Sequence, residues 1–496
     1  MSHEHLLFRR FLSVCSLLIL LALPALASTP EASGVASPAP VELVSAAAAD
    51  DGDHPAPPAW LVIPFVVLLL LIATGPLFFA HHWHHHYPKY AVALGTITGL
   101  YYIFVLHSAT PVMHAAEEYF SFIALLASLY IASGGILIRM NKKGTPIVNA
   151  ALLLFGALIS NVIGTTGASM LLIRPYMRLN EGRIRPYHIV FFIFTVSNVG
   201  GALTPIGDPP LFLGFLRGVP FFWTLVHVWY IWLPTILLIV LVFYFVDRRN
   251  QQTSSRELEP GAPSFQITGK KNFAWLALVV ICVFIDPNVL AFVPELHFGS
   301  VHLPFGIREI IMFAICFLSY RLASQEALRG NDFNFEPIKE VGYLFIGIFL
   351  TMQPALELIG GYARENADAL GVSTFYWGTG ILSGILDNAP TYVSFLSAAM
   401  GKFGLSVNEL SDVAAFAAGS SDPSTIIYLE AISVAAVFFG ALTYIGNGPN
   451  FMVKAIAESA GVECPSFFGY MVRYALTILI PIYFVVWVIW FSGWVF

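Results

Sequence analysis

The sequence predicts an all-α polytopic membrane protein built from two inverted repeats, each with a re-entrant hairpin and a discontinuous helix. Three observations lead there. Of the 496 residues, 57% are hydrophobic and 11% charged, where a soluble chain carries about 25% charged residues. Residues 201–212 read GALTPIGDPPLF and residues 440–451 read GALTYIGNGPNF, identical at eight of twelve positions. Lys and Arg gather on one side once the apolar runs are threaded through a bilayer.

The N-terminus reads as a targeting segment. Arg9 and Arg10 precede an apolar run, and Ala25-Leu26-Ala27 follows as a small-residue cleavage site. Residues 1–27 are therefore expected to be a signal peptide. Residues 28–58, rich in Ala, Pro, Ser and Asp, are expected to be a disordered extracytoplasmic tail. The first transmembrane half then covers 59–246, a cytoplasmic linker 247–272, and the second half 273–496.

A span needs about 20 apolar residues. Apolar runs fall near 60–80, 89–107, 118–138, 147–172, 187–216, 222–246, 273–293, 308–325, 341–359, 374–400, 424–456 and 471–494. Those at 187–216 and 424–456 are too long for one straight span and are interrupted by Gly, Pro and Asn. If 147–172 and 374–400 enter and return, inner loops hold Lys89, Arg139, Lys142, Lys143, Arg174, Arg178, Arg183, Arg185, Arg248 and Arg249, among others. The outer side holds only Arg217, Arg308, Arg364 and Lys402. The positive-inside rule thus makes the first hairpin open inward and the second outward.

The repeat places the chemistry. A polar dipeptide stands in each hairpin, Ser160-Asn161 in the first and Asp387-Asn388 in the second, and a broken helix follows each. Paired discontinuous helices in inverted halves are the sequence pointer to a secondary transporter's binding site. Irregular backbone at membrane depth is tolerated only where protein or a water-filled cavity surrounds it. Gly residues there allow tight turns, and Pro205, Pro209, Pro210 and Pro449 stop the helices. Freed carbonyls with Asn and Thr oxygens suit Na⁺, while half-helix N-termini suit an anion.

The motifs 197-SNVGGALTPIGDPP-210, Asp387-Asn388-Ala389-Pro390 and 440-GALTYIGNGPN-450 resemble those of the ion-transporter superfamily. That superfamily includes NhaD-type Na⁺/H⁺ antiporters, arsenite exporters, citrate–metal carriers and dicarboxylate/sodium symporters. The resemblance implies ion-binding roles for Asn161, Thr165, Asn198, Thr204, Asp208, Asp387, Asn388, Thr443 and Asn447. It also implies a multi-pass protein of the bacterial inner membrane, often a homodimer, with Na⁺ and H⁺ as transported ions.

Two departures bear on the substrate. The NhaD-type branch has an acidic Asp-Asn pair where this chain has Ser160-Asn161, and the dicarboxylate branch has Ser-Asn-Thr at both tips. Asp208 and Asp387, able to take Na⁺ or H⁺ competitively, make Na⁺/H⁺ exchange the first reading. Na⁺- or H⁺-coupled transport of citrate, dicarboxylate or arsenite-like oxyanions is the alternative. An intramembrane aspartyl protease would also use two buried Asp residues, but its Gly-x-Gly-Asp signature fails, with Pro205 three before Asp208. No catalytic residue, cofactor or nucleic-acid partner is expected.

Other polar residues in apolar runs are functional candidates by default. Glu430, one turn into its run, is a candidate proton relay. Glu117, Glu118 and Glu357 lie near span ends, and Arg308-Glu309 reads as a helix-end ion pair. His81, His82, His84, His85 and His86 fall in the first cytoplasmic loop, where imidazoles can sense pH or bind transition metals. No transition metal is expected at the ion site. Cys15, Cys282, Cys316 and Cys464 show neither metal spacing nor a disulfide framework.

Overall fold

A computed structural model describes residues 56–250, 254–255, 264–285, 293, 297–298, 301–302, 305–420 and 422–493. The signal-like segment and nearly all of the expected tail lie outside the described residues.

The chain is helical nearly throughout. Helices α1 (Ile63–Phe78), α2 (Ala80–Phe104) and α3 (Thr110–Gly134) lead to a short strand, β1 (Leu137–Met140). Then come α4 (Pro146–Leu179), α5 (Pro186–Thr195), α6 (Pro209–Leu216) and α7 (Trp223–Arg248). After strand β2 (Phe265–Thr268) follow α8 (Lys271–Val283), α9 (Ile307–Arg321), α10 (Gln325–Gly330) and α11 (Glu336–Glu365). The chain closes with α12 (Val372–Ile385), α13 (Asn388–Lys402), α14 (Leu410–Ala418), α15 (Thr425–Phe439), α16 (Gly448–Ser459) and α17 (Phe467–Phe491).

Among the described residues, seven helical segments are long and apolar enough to cross a membrane. Leu233, Leu237, Leu241 and Phe245 form an exposed i, i+4 stripe on α7. Such a stripe is the ordinary surface of a helix solvated by hydrocarbon. The protein is a multi-pass membrane protein.

Each of the two segments expected as hairpins is interrupted by a turn. In α4 the turn is at Gly164, whose φ of 77° and ψ of 155° suit glycine alone. The two ends of α4 meet: Gly144 N–H donates to Leu179 O at 2.7 Å, and Asn149 and Asn180 exchange amide bonds at 2.8 Å. The second pair, α12 and α13, bends at Leu386-Asp387. Its far ends meet where Lys402 Nζ donates to Ala367 O at 2.6 Å.

The two long apolar runs are broken where the repeat lies. Between α5 and α6 only a 3₁₀ turn, Val199–Gly201, remains, and between α15 and α16 its counterpart is Gly440–Leu442. A Cβ on Gly207 would run into the carbonyl oxygen of Gly201, and one on Gly446 would sit 2.6 Å from that of Gly440. The same tight crossing, at equivalent positions, needs glycine in each copy.

One expectation fails locally. His81–His86 are not in a loop, because α2 begins at Ala80 and the segment is helical. Among the described residues of the run 273–293, the helix is Lys271–Val283, thirteen residues long. Within the expected linker 247–272, β2 pairs antiparallel with β1, Leu137 opposite Thr268 and Met140 opposite Phe265. The backbone hydrogen bonds of a ladder explain that strand, which four mixed residues do not announce.

Candidate functional site

Asp208 is the hub of the candidate site. It is the N-cap residue of α6, with extended backbone, and is 1% exposed. Its Oδ1 accepts hydrogen bonds from Thr165 Oγ1 at 2.7 Å and Asn447 Nδ2 at 2.9 Å. Its Oδ2 accepts one from Asn388 Nδ2 at 2.6 Å. Thr165 follows the turn of α4, Asn388 opens α13, and Asn447 caps α16. One carboxylate therefore ties two turns and two helix breaks together.

Equivalent positions of the repeat touch each other here. Asp208 and Asn447 occupy the same place in their twelve-residue copies, and their side chains bond directly. Asn447 Nδ2 also reaches Ser197 O and Asn198 Oδ1, at 3.1 and 3.2 Å. Asn198 Nδ2 donates to Asn450 Oδ1 at 2.6 Å and to Ile193 O at 2.9 Å. Asn450 was not anticipated, although it lies inside the repeat, because its counterpart there is the apolar Leu211.

The remaining predicted residues hold each break against its neighbouring turn. Thr204 Oγ1 donates to Asn161 O at 2.6 Å, and Thr443 Oγ1 donates to Gly384 O at 2.8 Å. Asn161 Nδ2 donates to Gly200 O at 2.7 Å, while its Oδ1 takes the Leu203 N–H at 2.9 Å. Asn161, Thr204 and Thr443 thus act on backbone carbonyls and amides instead of on Asp208. Asp387 stands beside Asn388, but its carboxylate caps α13 by accepting Ala389 N–H at 3.0 Å.

Four helix starts converge on this point: α6 at Pro209, α13 at Asn388, α16 at Gly448 and the return arm of α4 after Gly164. Each N-terminus carries roughly half a positive charge. Together these dipole ends face the Asp208 carboxylate without supplying a full counter-charge. A cavity of about 20 Å³ adjoins Asp208, walled by Phe122, Leu125 and Leu129 of α3. It has room for about one water, and Tyr130 of α3 also lines it.

Glu430 lies elsewhere. It is 7% exposed and accepts from Tyr230 Oη at 2.9 Å, between α15 and α7. Glu118 pairs with Arg217 at 2.8 Å, and Glu357 accepts from Tyr102 Oη at 2.9 Å. Arg308 and Glu309 form their pair at 2.6 Å, with Ser121 Oγ donating to the same carboxylate. Cys282, Cys316 and Cys464 are free thiols.

The chain resembles known transport proteins. A family profile described as "Putative citrate transport" matches residues 54–491. An uncharacterized transporter of Mycobacterium bovis is 22% identical over 330 residues, covering 64% of this chain and 71% of that protein. An uncharacterized transporter of Mycobacterium tuberculosis matches to the same extent.

Proposed function

Since the chain belongs to that citrate-transport family, a transport protein and not an enzyme, we propose that it is a cation-coupled secondary carrier of citrate or a closely related carboxylate. The observation that carries this reading is the composition of the Asp208 shell. Three neutral donors from both halves hold a buried carboxylate, and helix N-termini surround it. The carboxylate needs a counter-charge that no described side chain in contact supplies. A transported Na⁺ or H⁺ meets that need, and with Asp208 neutralised the helix N-termini are free to take the carboxylates of the substrate.

The same reading explains the twofold plan. The halves act as inverted repeats, with α4 and the α12–α13 pair re-entrant from opposite faces of a bacterial cell membrane. The matched Thr204–Asn161 and Thr443–Gly384 bonds support it. The cavity beside Asp208 is far below the roughly 300–1,000 Å³ of small-molecule sites. Citrate therefore enters when the parts around Asp208 separate, first toward one side and then the other. Na⁺/H⁺ exchange without an organic substrate uses the same carboxylate, but the family resemblance favours the carboxylate carrier.

The test is uptake into vesicles holding the purified protein. Labelled citrate should accumulate under an imposed Na⁺ or H⁺ gradient, and Asp208→Asn should abolish it. No citrate uptake, together with a pH gradient that collapses on Na⁺ addition alone, would return the protein to the antiporter reading.

A further inference from the structure

The five imidazoles at the start of α2 have no part in the Asp208 site. The chain bends at Phe79 (φ −135°, ψ 37°) and re-enters a helix at Ala80, so His81 to His86 occupy its first two turns. All but His86 are exposed. Residues four apart on a helix share one face, and two imidazoles so placed are the helical half of a zinc site. The ring centroids of His81 and His85 lie 4.7 Å apart, and those of His82 and His86 4.4 Å apart.

Ring nitrogens decide what each pair can do. Nδ1 of His85 lies 2.9 Å from the carbonyl oxygen of His81. A carbonyl has no proton to give, so Nδ1 carries the hydrogen and Nε2 keeps its lone pair. A histidine whose second nitrogen donates to backbone is the usual oriented metal ligand. His86 makes the same bond to His82 O at 3.0 Å. The second pair is otherwise engaged: His82 Nε2 bonds the Tyr90 hydroxyl at 2.8 Å, and its ring is stacked on His86 with planes 10° apart.

His81 and His85 are tilted by 49° instead of stacked. His84 adjoins His85 edge-on, with centroids 5.8 Å apart. Glu336 and Glu340 of α11 lie within electrostatic reach of His84. Glu336 is paired with Lys339 at 2.9 Å, so Glu340 is the acid whose charge raises the local concentration of cations. Among the described residues no group of three or more His, Cys, Asp or Glu side chains converges on one point. The arrangement leaves two imidazoles, His81 and His85, on one exposed helix face.

We propose that His81 and His85 bind a transition-metal ion of the Zn²⁺, Ni²⁺ or Cu²⁺ class at the α1–α2 elbow. Nitrogen ligands select these ions over Mg²⁺ and Ca²⁺, which prefer oxygen. A bound ion bridges successive turns and pins the start of α2. The proposal is independent of what the protein carries.

Calorimetric titration of the untagged, full-length protein in detergent with Ni²⁺ is the experiment. The wild type should bind one ion per chain, unaffected by excess Mg²⁺. His82→Ala/His86→Ala should retain that ion, whereas His81→Ala/His85→Ala should lose it. All four positions are solvent-facing or half-buried, and an unchanged size-exclusion profile confirms that each variant is folded. Ni²⁺ binding that survives His81→Ala/His85→Ala, that falls equally in both double variants, or that yields to Mg²⁺ overturns the assignment.

Discussion

Two buried aspartates, Asp208 and Asp247, have opposite surroundings. Asp208 receives only neutral donors, from Thr165, Asn388 and Asn447. Asp247, 0% exposed at the end of α7, is held by Arg183 through Nη2 at 2.7 Å and Nη1 at 3.2 Å. Asn149 and Tyr187 donate to it at 2.9 and 2.7 Å, and His188 Nε2 lies 3.2 Å away. The Asp247 cluster contains its own counter-charge and joins both ends of α4 to α5 and α7. The Asp208 shell contains none. A buried acid paired permanently is architecture, and one paired only with dipoles is available to a mobile cation.

The largest effect expected from this contrast is at Asp247. Asp247→Asn removes the carboxylate that balances the charge of buried Arg183, a loss on the order of 3–5 kcal/mol. Little folded protein should survive in a thermal size-exclusion assay. Asp208→Asn should cost less, about 1–3 kcal/mol: its one oxygen still accepts from Thr165 and Asn447, while its NH2 faces the amide of Asn388 in place of an acceptor. It should nevertheless reduce cation-driven uptake to background. Equal melting losses in the two variants would erase the distinction.

The pH dependence of coupling sharpens the same contrast. If Na⁺ binds at Asp208, the proton is its competitor. Apparent Na⁺ affinity in uptake assays should strengthen as pH rises and level off once the carboxylate is deprotonated. A pH-independent Na⁺ affinity would place the cation away from Asp208. If citrate shares the cycle, adding it should tighten Na⁺ binding, since linkage is reciprocal.

The two halves provide a smaller, internal comparison. Thr204→Val and Thr443→Val each remove a hydrogen bond to a carbonyl, together with the bonds the hydroxyls accept from Gly207 N–H and from Ile445 and Gly446 N–H, each bond worth about 1 kcal/mol. Their thermal shifts should agree, and both should slow uptake without abolishing it. Disagreement beyond that scale would mean that the repeats are not mechanically equivalent. Sidedness completes the set. Cysteines at Gly144 and Arg174 should label from the same face of the membrane, because both flank the α4 turn.

Much of the candidate site was legible in the chain. The repeated twelve residues contain Asp208 and Asn447, and the hairpin dipeptides lead to Thr165 and Asn388. Those signals survive because turns at membrane depth demand Gly and Pro, and buried polar groups demand Asn and Thr. Glu430 was legible as a buried acid but not as the partner of Tyr230, 200 residues away. Five imidazoles were visible at 81–86, yet an apolar-run boundary placed them in a loop where α2 continues.

The sequence by itself determined the membrane class, the two breaks and the residues that line them, because backbone polarity in hydrocarbon leaves few alternatives to such a pattern. Only the tertiary structure decided which acid is free and which is paired. Arg183, Asn149 and Asp247 stand 64 and 98 residues apart in their contacts, as single polar residues near helix ends without any period. Their meeting depends on how α4, α5 and α7 pack, and charge neutralisation is a property of that meeting and not of any one residue.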